Sequence, residues 1–130
     1  MSKAYEFLKE CGVFYVATVN GSKPAVRPFG ALMEYKGKMY ICTGNFKEVY
    51  KQMKANPAVQ LSSTKPKSHD WIRVNAVAVE DTDIAAKEAM LAACPALVTL
   101  FKSADNPVFA VFALTEVNGF IFKDGKNEEF

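Results

Sequence analysis

The chain has 130 residues, which is the size of one ordinary globular domain. Half of its residues are hydrophobic and 23% are charged, a composition that excludes a disordered protein. The net charge of +2 gives no electrostatic reason to expect a nucleic acid or a membrane as a partner. We therefore predict one domain that spans residues 1–130.

The cysteines and the histidine exclude further classes of protein. Cys11, Cys42 and Cys94 are widely spaced and form no CxxC pair, which argues against a disulfide framework and against a zinc site. With a single histidine, a His-rich metal site is excluded and no metal is expected. No signal peptide is visible, and the longest apolar run, 108–114, is too short to span a bilayer. These features predict a cytoplasmic protein.

The first predicted elements are one short helix and three antiparallel strands. β-Branched and aromatic residues favour the strands, and Asn20-Gly21 is a strong signal for the hairpin that joins the first two. Pro28 and Gly30 predict a bend inside the second strand. The helix is expected over residues 2–10 and the strands over 13–19, 24–35 and 39–43.

The second half of the chain alternates further helices with strands. An apolar stripe at helical spacing predicts a helix over 46–55. Period-two alternation predicts a strand over 71–80, and the run 108–114 is apolar on both faces, as expected of a central strand. Residues 124–130 are expected to fray. The remaining predictions are strands over 58–63 and 120–122 and helices over 83–93 and 96–102. Six or seven mostly antiparallel strands favour a barrel or sandwich with helices attached.

Residues 24–53 concentrate the polar chemistry of the chain. Cationic side chains, a hydroxyl, an amide and a helix N-terminus converge there, and together they suit a phosphate. Two plainer interpretations stay open: the lysines could form a solvated helix face, and Asn45 could simply cap the helix. The residues concerned are Arg27, the loop Thr43-Gly44-Asn45, Lys47, Lys51 and Lys54.

Three separated blocks of the sequence resemble the pyridoxamine 5′-phosphate oxidase-like family. In order, the blocks are YVATVNGSKPAVRPFG, GKMYICTGNFKEVYKQMKANPAVQL and WIRVNAVAVE. The resemblance covers most of the chain, from about Tyr5 to Leu114. It implies a mainly β fold with flanking helices, a six-stranded antiparallel Greek-key split barrel. It also implies a homodimer with FMN sites at the subunit interface.

The resemblance assigns ten residues to the cofactor. The group beside the flavin ring would be Arg27, Pro28 and Phe29. The phosphate and ribityl candidates are Thr43, Asn45, Lys47, Lys51 and Gln52. From the partner subunit, Trp71 and Arg73 would approach the ring, although Trp71 fits a core or interface position equally well and Arg73 fits a surface position. The well-studied biosynthetic oxidases carry further substrate-binding Arg and His residues near a longer C-terminus, so pyridoxamine phosphate oxidation is not expected here.

Several functions are consistent with this fold and these candidate residues. The first is an FMN-dependent oxidoreductase whose small-molecule substrate and electron donor are unknown. Others are a non-catalytic electron carrier or sensor, a split barrel that holds a deazaflavin or haem, and a ligand-free dimeric interaction module. No catalytic residue is assigned, because His69 beside Asp70 in a polar loop has no accompanying nucleophile and is typical of a surface residue.

Overall fold

A computed structural model describes residues 2–130 and contains four helices and eight strands. The helices are α1 (Lys3–Cys11), α2 (Glu48–Ala55), α3 (Ile84–Ala93) and α4 (Ala96–Phe101). The strands are β1 (Phe14–Asn20), β2 (Lys23–Phe29), β3 (Met33–Tyr35), β4 (Lys38–Gly44), β5 (Ala58–Thr64), β6 (Trp71–Asp81), β7 (Phe109–Lys123) and β8 (Lys126–Glu129).

All eight strands belong to one open sheet whose neighbours are antiparallel. The order is β2-β1-β5-β6-β7-β4-β3, and β8 pairs with β7. This arrangement confirms the predicted mainly β, antiparallel split-barrel fold with helices at its sides. The strand number is eight rather than six, because β3 and β8 add short strands of three and four residues.

Two segments differ from the sequence-based prediction. The predicted strand over 24–35 is two strands, since the chain leaves the sheet between Phe29 and Met33. The C-terminal residues predicted to fray instead form β8, which turns back at Gly125 and pairs with β7. The predicted separate strand over 120–122 is the last part of the long strand β7.

Gly119 lies within β7 rather than in a turn, and its missing side chain is required there. Its φ is 155°, and a Cβ atom at this position would lie 2.0 Å from the backbone oxygen of Arg73 on β6. Only glycine allows this close approach of the two strands. The β6–β7 register, which pairs Val74 with Gly119, therefore depends on this residue.

The buried side chains form two clusters on opposite sides of β4 and β7. The first cluster lies on the inner face of the barrel, where Phe14, Leu61 and Ile72 are almost fully buried. The second cluster lies against α3 and α4 and includes Met90 and Phe109. β4 contributes alternate side chains to the two clusters, so its C-terminal end lies between them. Within residues 2–130, no helix is long and apolar enough to cross a membrane.

Candidate functional site

A cleft of about 420 Å³ opens where β2 and β4 end and α2 begins, with Cys94 and α4 as its far wall. This volume lies within the range of ordinary small-molecule sites. Five of the ten predicted cofactor residues line the cleft, although they come from three separate elements: Arg27, Pro28, Phe29, Thr43 and Lys47. Tertiary structure thus brings together residues that the sequence places about 20 positions apart.

Arg27 is held in a hydrogen-bond network beneath the cleft. Its Nη1 donates to the Thr18 hydroxyl at 2.7 Å and to the Val16 carbonyl at 3.2 Å, and its Nη2 donates to Gln52 Oε1 at 2.7 Å. Thr18 Oγ1 in turn donates to Gln52 Oε1 at 2.5 Å. Thr18 and Gln52 are both buried, so the guanidinium is fixed by partners that are themselves fixed.

The network changes the interpretation of two residues. Gln52 was expected to contact phosphate or ribityl groups, but its side chain is buried below Arg27 and does not line the cleft. Thr18 was not predicted at all. The one sequence signal for it was its position in the inward-facing row of β1, where it follows Phe14 and Val16 and is the polar member of an apolar row.

The cleft carries positive charge that the protein itself does not neutralise. Within residues 2–130, no carboxylate lies within ion-pair distance of Arg27 or Lys47. Burial lowers the pKa of the Arg27 guanidinium, which nevertheless stays charged at neutral pH. A half-buried cation without a counter-ion is costly, and an anionic ligand would remove that cost.

Helix α2 begins at the edge of this cleft without a side-chain cap. Its N-cap residue is Lys47, which makes no capping hydrogen bond. The expectation that Asn45 caps the helix is wrong, because the helix begins two residues later than a cap at Asn45 requires. The Asn45 amide instead donates to the carbonyl of Pro107 at 3.0 Å, and its own backbone N–H donates to Val108. The uncapped N-terminus adds partial positive charge beside Lys47.

The three lysines near α2 have different surroundings. Lys47 lines the cleft, whereas Lys51 forms an exposed ion pair with Glu48 at 3.2 Å and Lys54 pairs with Glu80 at 3.0 Å. Neither Lys51 nor Lys54 is among the lining residues. The shared helical spacing in the sequence therefore concealed a division into one lysine facing the cleft and two with carboxylate partners.

The far wall of the cleft is apolar. Burial raises the pKa of the Cys42 thiol to about 12, so this side chain is neutral at physiological pH. Cys42 belongs to β4, and the far wall opposite it is formed by Cys94 at the end of α3 and by α4. On this wall, the side chain of Leu100 is 68% exposed. The wall residues are Cys94, Ala96, Leu97, Leu100 and Phe101.

Trp71 and Arg73 lie in a different region, on the sheet face at the start of β6. The Trp71 ring contacts Phe120 at a centroid distance of 5.3 Å and Phe122 at 6.2 Å. The Arg73 guanidinium lies 5.3 Å from the Trp71 ring and 5.5 Å from Phe120. Neither residue lines the cleft of the same chain. His69 is exposed in the loop that precedes this cluster.

Comparison with known proteins identifies the family of the chain. The sequence matches the family model described as pyridoxamine 5′-phosphate oxidase over residues 2–119. A NimC/NimA family protein of Clostridium acetobutylicum is 46% identical and superimposes with a TM-score of 0.92, over 98% of this chain and 90% of that one. No curated protein matches the chain.

Two more distant structures share the fold. A pyridoxamine 5′-phosphate oxidase-related, FMN binding protein of Nostoc punctiforme is 14% identical, with a TM-score of 0.71 over 96% of this chain and 82% of that one. A heme binding protein of Mycobacterium smegmatis is 19% identical, with a TM-score of 0.71 over 100% and 58%. At these identities the likeness shows the fold alone. The family match over residues 2–119 is independent of them, and it establishes that the chain belongs to the pyridoxamine 5′-phosphate oxidase family.

Proposed function

We propose that the chain is an FMN-binding oxidoreductase and that the cleft between β2, β4 and α2 holds the cofactor. The observation that carries the proposal is the pair of cations, Arg27 and Lys47, which face the cleft without carboxylate partners at an uncapped helix start. A phosphate is a dianion that such donors bind through charge-assisted hydrogen bonds.

The residues at the cleft fit the parts of FMN. Arg27 and Lys47 would bind the phosphate, and the buried Thr43 at the end of β4 would offer a hydroxyl nearby. The apolar Pro28 and Phe29 would lie beside the flavin ring. For Asn45 and Lys51, contacts with the ribityl chain or phosphate stay a prediction, since neither lines the cleft. Thr18 and Gln52 would act indirectly, by fixing the orientation of Arg27.

Bound FMN would supply the hydride- or electron-transfer chemistry, while the protein contributes binding and orientation. No Asp, Glu or His lines the cleft within residues 2–130, so the residues present serve to hold a cofactor and exclude water from it. An electron carrier or sensor would need the same binding residues. Turnover of an organic substrate separates the oxidoreductase from a carrier, which shows reduction and reoxidation without consuming one.

The names of two relatives bear on the choice of cofactor. The Nostoc punctiforme protein is described as FMN binding and the Mycobacterium smegmatis protein as heme binding. We favour FMN over haem for this chain because no His lines the cleft within residues 2–130 to ligate an iron, whereas the unpaired cations suit a phosphate. Burial raises the pKa of the Cys42 thiol, which lines the cleft, to about 12, and this disfavours the thiolate form that would ligate iron. Deazaflavin cofactors also carry phosphate, so they are distinguished only by a direct binding comparison.

The first test is the visible absorption spectrum of the purified protein, followed by titration with FMN. We expect an oxidised flavin spectrum and tight binding that Lys47→Ala weakens about tenfold, the loss of one hydrogen-bonded charge. Lys54→Ala is the matched control, because it removes an equal charge from α2 at a position that does not line the cleft. Colourless protein that does not bind added FMN would refute the proposal, and equal effects of the two variants would refute the placement of the phosphate.

We also propose that the chain forms a homodimer with its cofactor sites at the subunit interface. The support is the half-buried aromatic cluster of Trp71, Phe120 and Phe122 on the sheet face beside the exposed Arg73, since aromatic and arginine side chains are enriched at interface cores. Each cluster would then approach the cofactor of the partner subunit. Sedimentation equilibrium should give a dimer at micromolar concentration that Trp71→Ala dissociates, and a monomeric parent protein would contradict the dimer.

A further inference from the structure

Two of the three cysteines meet at the cleft. Cys42 on β4 and Cys94 at the end of α3 are far apart in the sequence, yet both line the cleft and both pack in the second core cluster. All three cysteines are free thiols, and Cys11 lies elsewhere, in a groove that also contains Ser63. The fold therefore brings two sulfur groups to one site and keeps the third apart from them.

The two thiols at the cleft differ in exposure and influence each other. Cys42 is 8% exposed, whereas Cys94 is partly exposed and donates to the carbonyl of Leu32 over 3.6 Å. Burial is the main cause of the raised pKa of Cys42, and the Cys94 thiol raises that pKa further. Each thiol thus lies within electrostatic reach of the other across the cleft.

Cys94 lies in a part of the backbone that can adjust its position. It is the C-cap residue of α3, and Pro95 and the six-residue helix α4 follow it directly. Cys42 belongs to a strand that is held by β3 on one side and by β7 on the other. A shift of the junction between the two helices would bring Cys94 to Cys42 while the sheet keeps its register.

We propose that Cys42 and Cys94 are a redox-active pair, which a small-molecule disulfide such as oxidised glutathione converts to an intramolecular disulfide. The more exposed Cys94, once deprotonated, would attack one sulfur of the reagent and displace the other, which leaves a mixed disulfide on Cys94. Cys42 would then lose its proton and attack the Cys94 sulfur, so that the second half of the reagent leaves. The two cysteine sulfurs are oxidised, the two sulfurs of the reagent are reduced, and both protons pass to the released thiols.

Packing alone accounts for Cys42 but not for Cys94. A buried cysteine commonly serves as a small apolar side chain, and Cys42 fits that description. Cys94 instead keeps its thiol partly exposed at a cleft that admits a small molecule, where a reagent can reach it. Reversible disulfides of this kind also suit a reducing compartment, in which protein disulfides are usually transient.

The Cys11→Ser variant tests the pair, because it keeps only Cys42 and Cys94 as thiols. The variant is incubated with oxidised glutathione at about pH 8, and its intact mass is followed after the remaining thiols have been blocked. We expect most of the protein to lose the mass of two hydrogen atoms and to regain it with dithiothreitol. Two blocked thiols, or a glutathione adduct that never resolves, would overturn the proposal. Peptide mapping of the oxidised parent protein should find the same cross-link, so the result does not depend on one variant.

Two further variants separate the roles of the cysteines. Cys42→Ser, added to Cys11→Ser, should stop at a mixed disulfide with one glutathione on Cys94, and the absence of that adduct would overturn the role of Cys94 as the attacking thiol. Cys94→Ser in the parent protein leaves Cys11 and Cys42, and we expect it to form an intramolecular disulfide at least about tenfold more slowly. An equal rate would overturn the assignment of the pair.

The cysteine pair and the FMN site are tested by separate signals. The cross-link is read from the mass, and FMN binding is read from the flavin spectrum. Colourless protein that forms the cross-link would refute only the proposed function. Protein that binds FMN and forms no cross-link would refute only the cysteine pair.

Discussion

Arg27 and Arg73, the arginines of this chain, lie in contrasting surroundings. Arg27 is half-buried and held by hydrogen bonds to Thr18, Gln52 and the Val16 carbonyl. Arg73 is exposed on the sheet face and lies against the rings of Trp71 and Phe120. Neither has a carboxylate partner within residues 2–130.

The contrast shows how the fold gives the same side chain two different uses. Hydrogen bonds from below fix the orientation of Arg27, so little conformational entropy is lost when an anion binds to it. Aromatic contacts leave the donors of Arg73 free but cover its planar face, an arrangement that suits a contact between proteins. The comparison leads to four predictions, given from the largest expected effect to the smallest.

The largest effect is expected from Gly119→Ala, because Gly119 lies against the backbone of Arg73. The new Cβ would lie 2.0 Å from the Arg73 backbone oxygen at a φ of 155°, so β6 and β7 would have to separate. We expect the free energy of unfolding to fall by about 3 kcal/mol, measured by urea denaturation. Gly21→Ala is the control, because Gly21 also has positive φ but no atom within 4 Å of its Cβ position. Equal losses for the two variants would show that strain in φ, rather than the close approach, is responsible.

The second prediction compares the arginines themselves. Arg27→Ala removes the guanidinium that faces the cleft, and we expect the FMN dissociation constant to rise about 30-fold, or about 2 kcal/mol. Arg73→Ala should raise it less than about threefold when the protein concentration keeps the dimer intact. Fluorescence titration of FMN measures both. A larger loss from Arg73→Ala than from Arg27→Ala would reverse the roles assigned to the two residues.

The third prediction concerns the support of Arg27. Thr18→Val keeps the shape of the side chain but leaves the Arg27 Nη1 and Gln52 without their hydroxyl partner. We expect FMN affinity to fall about tenfold through misorientation of Arg27, and Thr18→Ser to restore it because it returns the hydroxyl. If Thr18→Val lowers stability but leaves FMN affinity unchanged, the network is structural only.

The smallest effect is expected from salt. Raising the ionic strength from about 0.05 to about 0.5 M screens the attraction between the phosphate and the cations, so FMN affinity should fall about threefold. The decrease should be smaller in Arg27→Ala, which has one cation fewer in the cleft. In Arg73→Ala, the decrease should equal that of the parent protein. Affinity independent of salt in the parent protein would contradict binding through the phosphate.

The local sequence was sufficient to predict most of the elements. The hairpin predicted from Asn20-Gly21 joins β1 and β2, with Gly21 and Ser22 as its turn residues, because a turn is decided by a few adjacent residues. Ser2 and Asp83 cap α1 and α3 through equally local hydrogen bonds. Asn45 failed as a cap for the opposite reason. Its side chain bonds to Pro107, a partner more than 60 residues away that no local pattern reveals.

What the sequence by itself determined is the family, the antiparallel split-barrel fold and the stretch that carries the cleft's cations, since these depend on hydrophobic periodicity, turn residues and motif order. Only the tertiary structure decided which of those cations are free. Lys47 and Lys54 both lie near α2 in the sequence, yet Lys54 pairs with Glu80 on β6 while Lys47 faces the cleft. Likewise, Thr18 and Gln52 meet Arg27 only after β1, β2 and α2 have packed. The reason is physical: a charge acts over a few ångströms in space, and the folded chain alone fixes those distances.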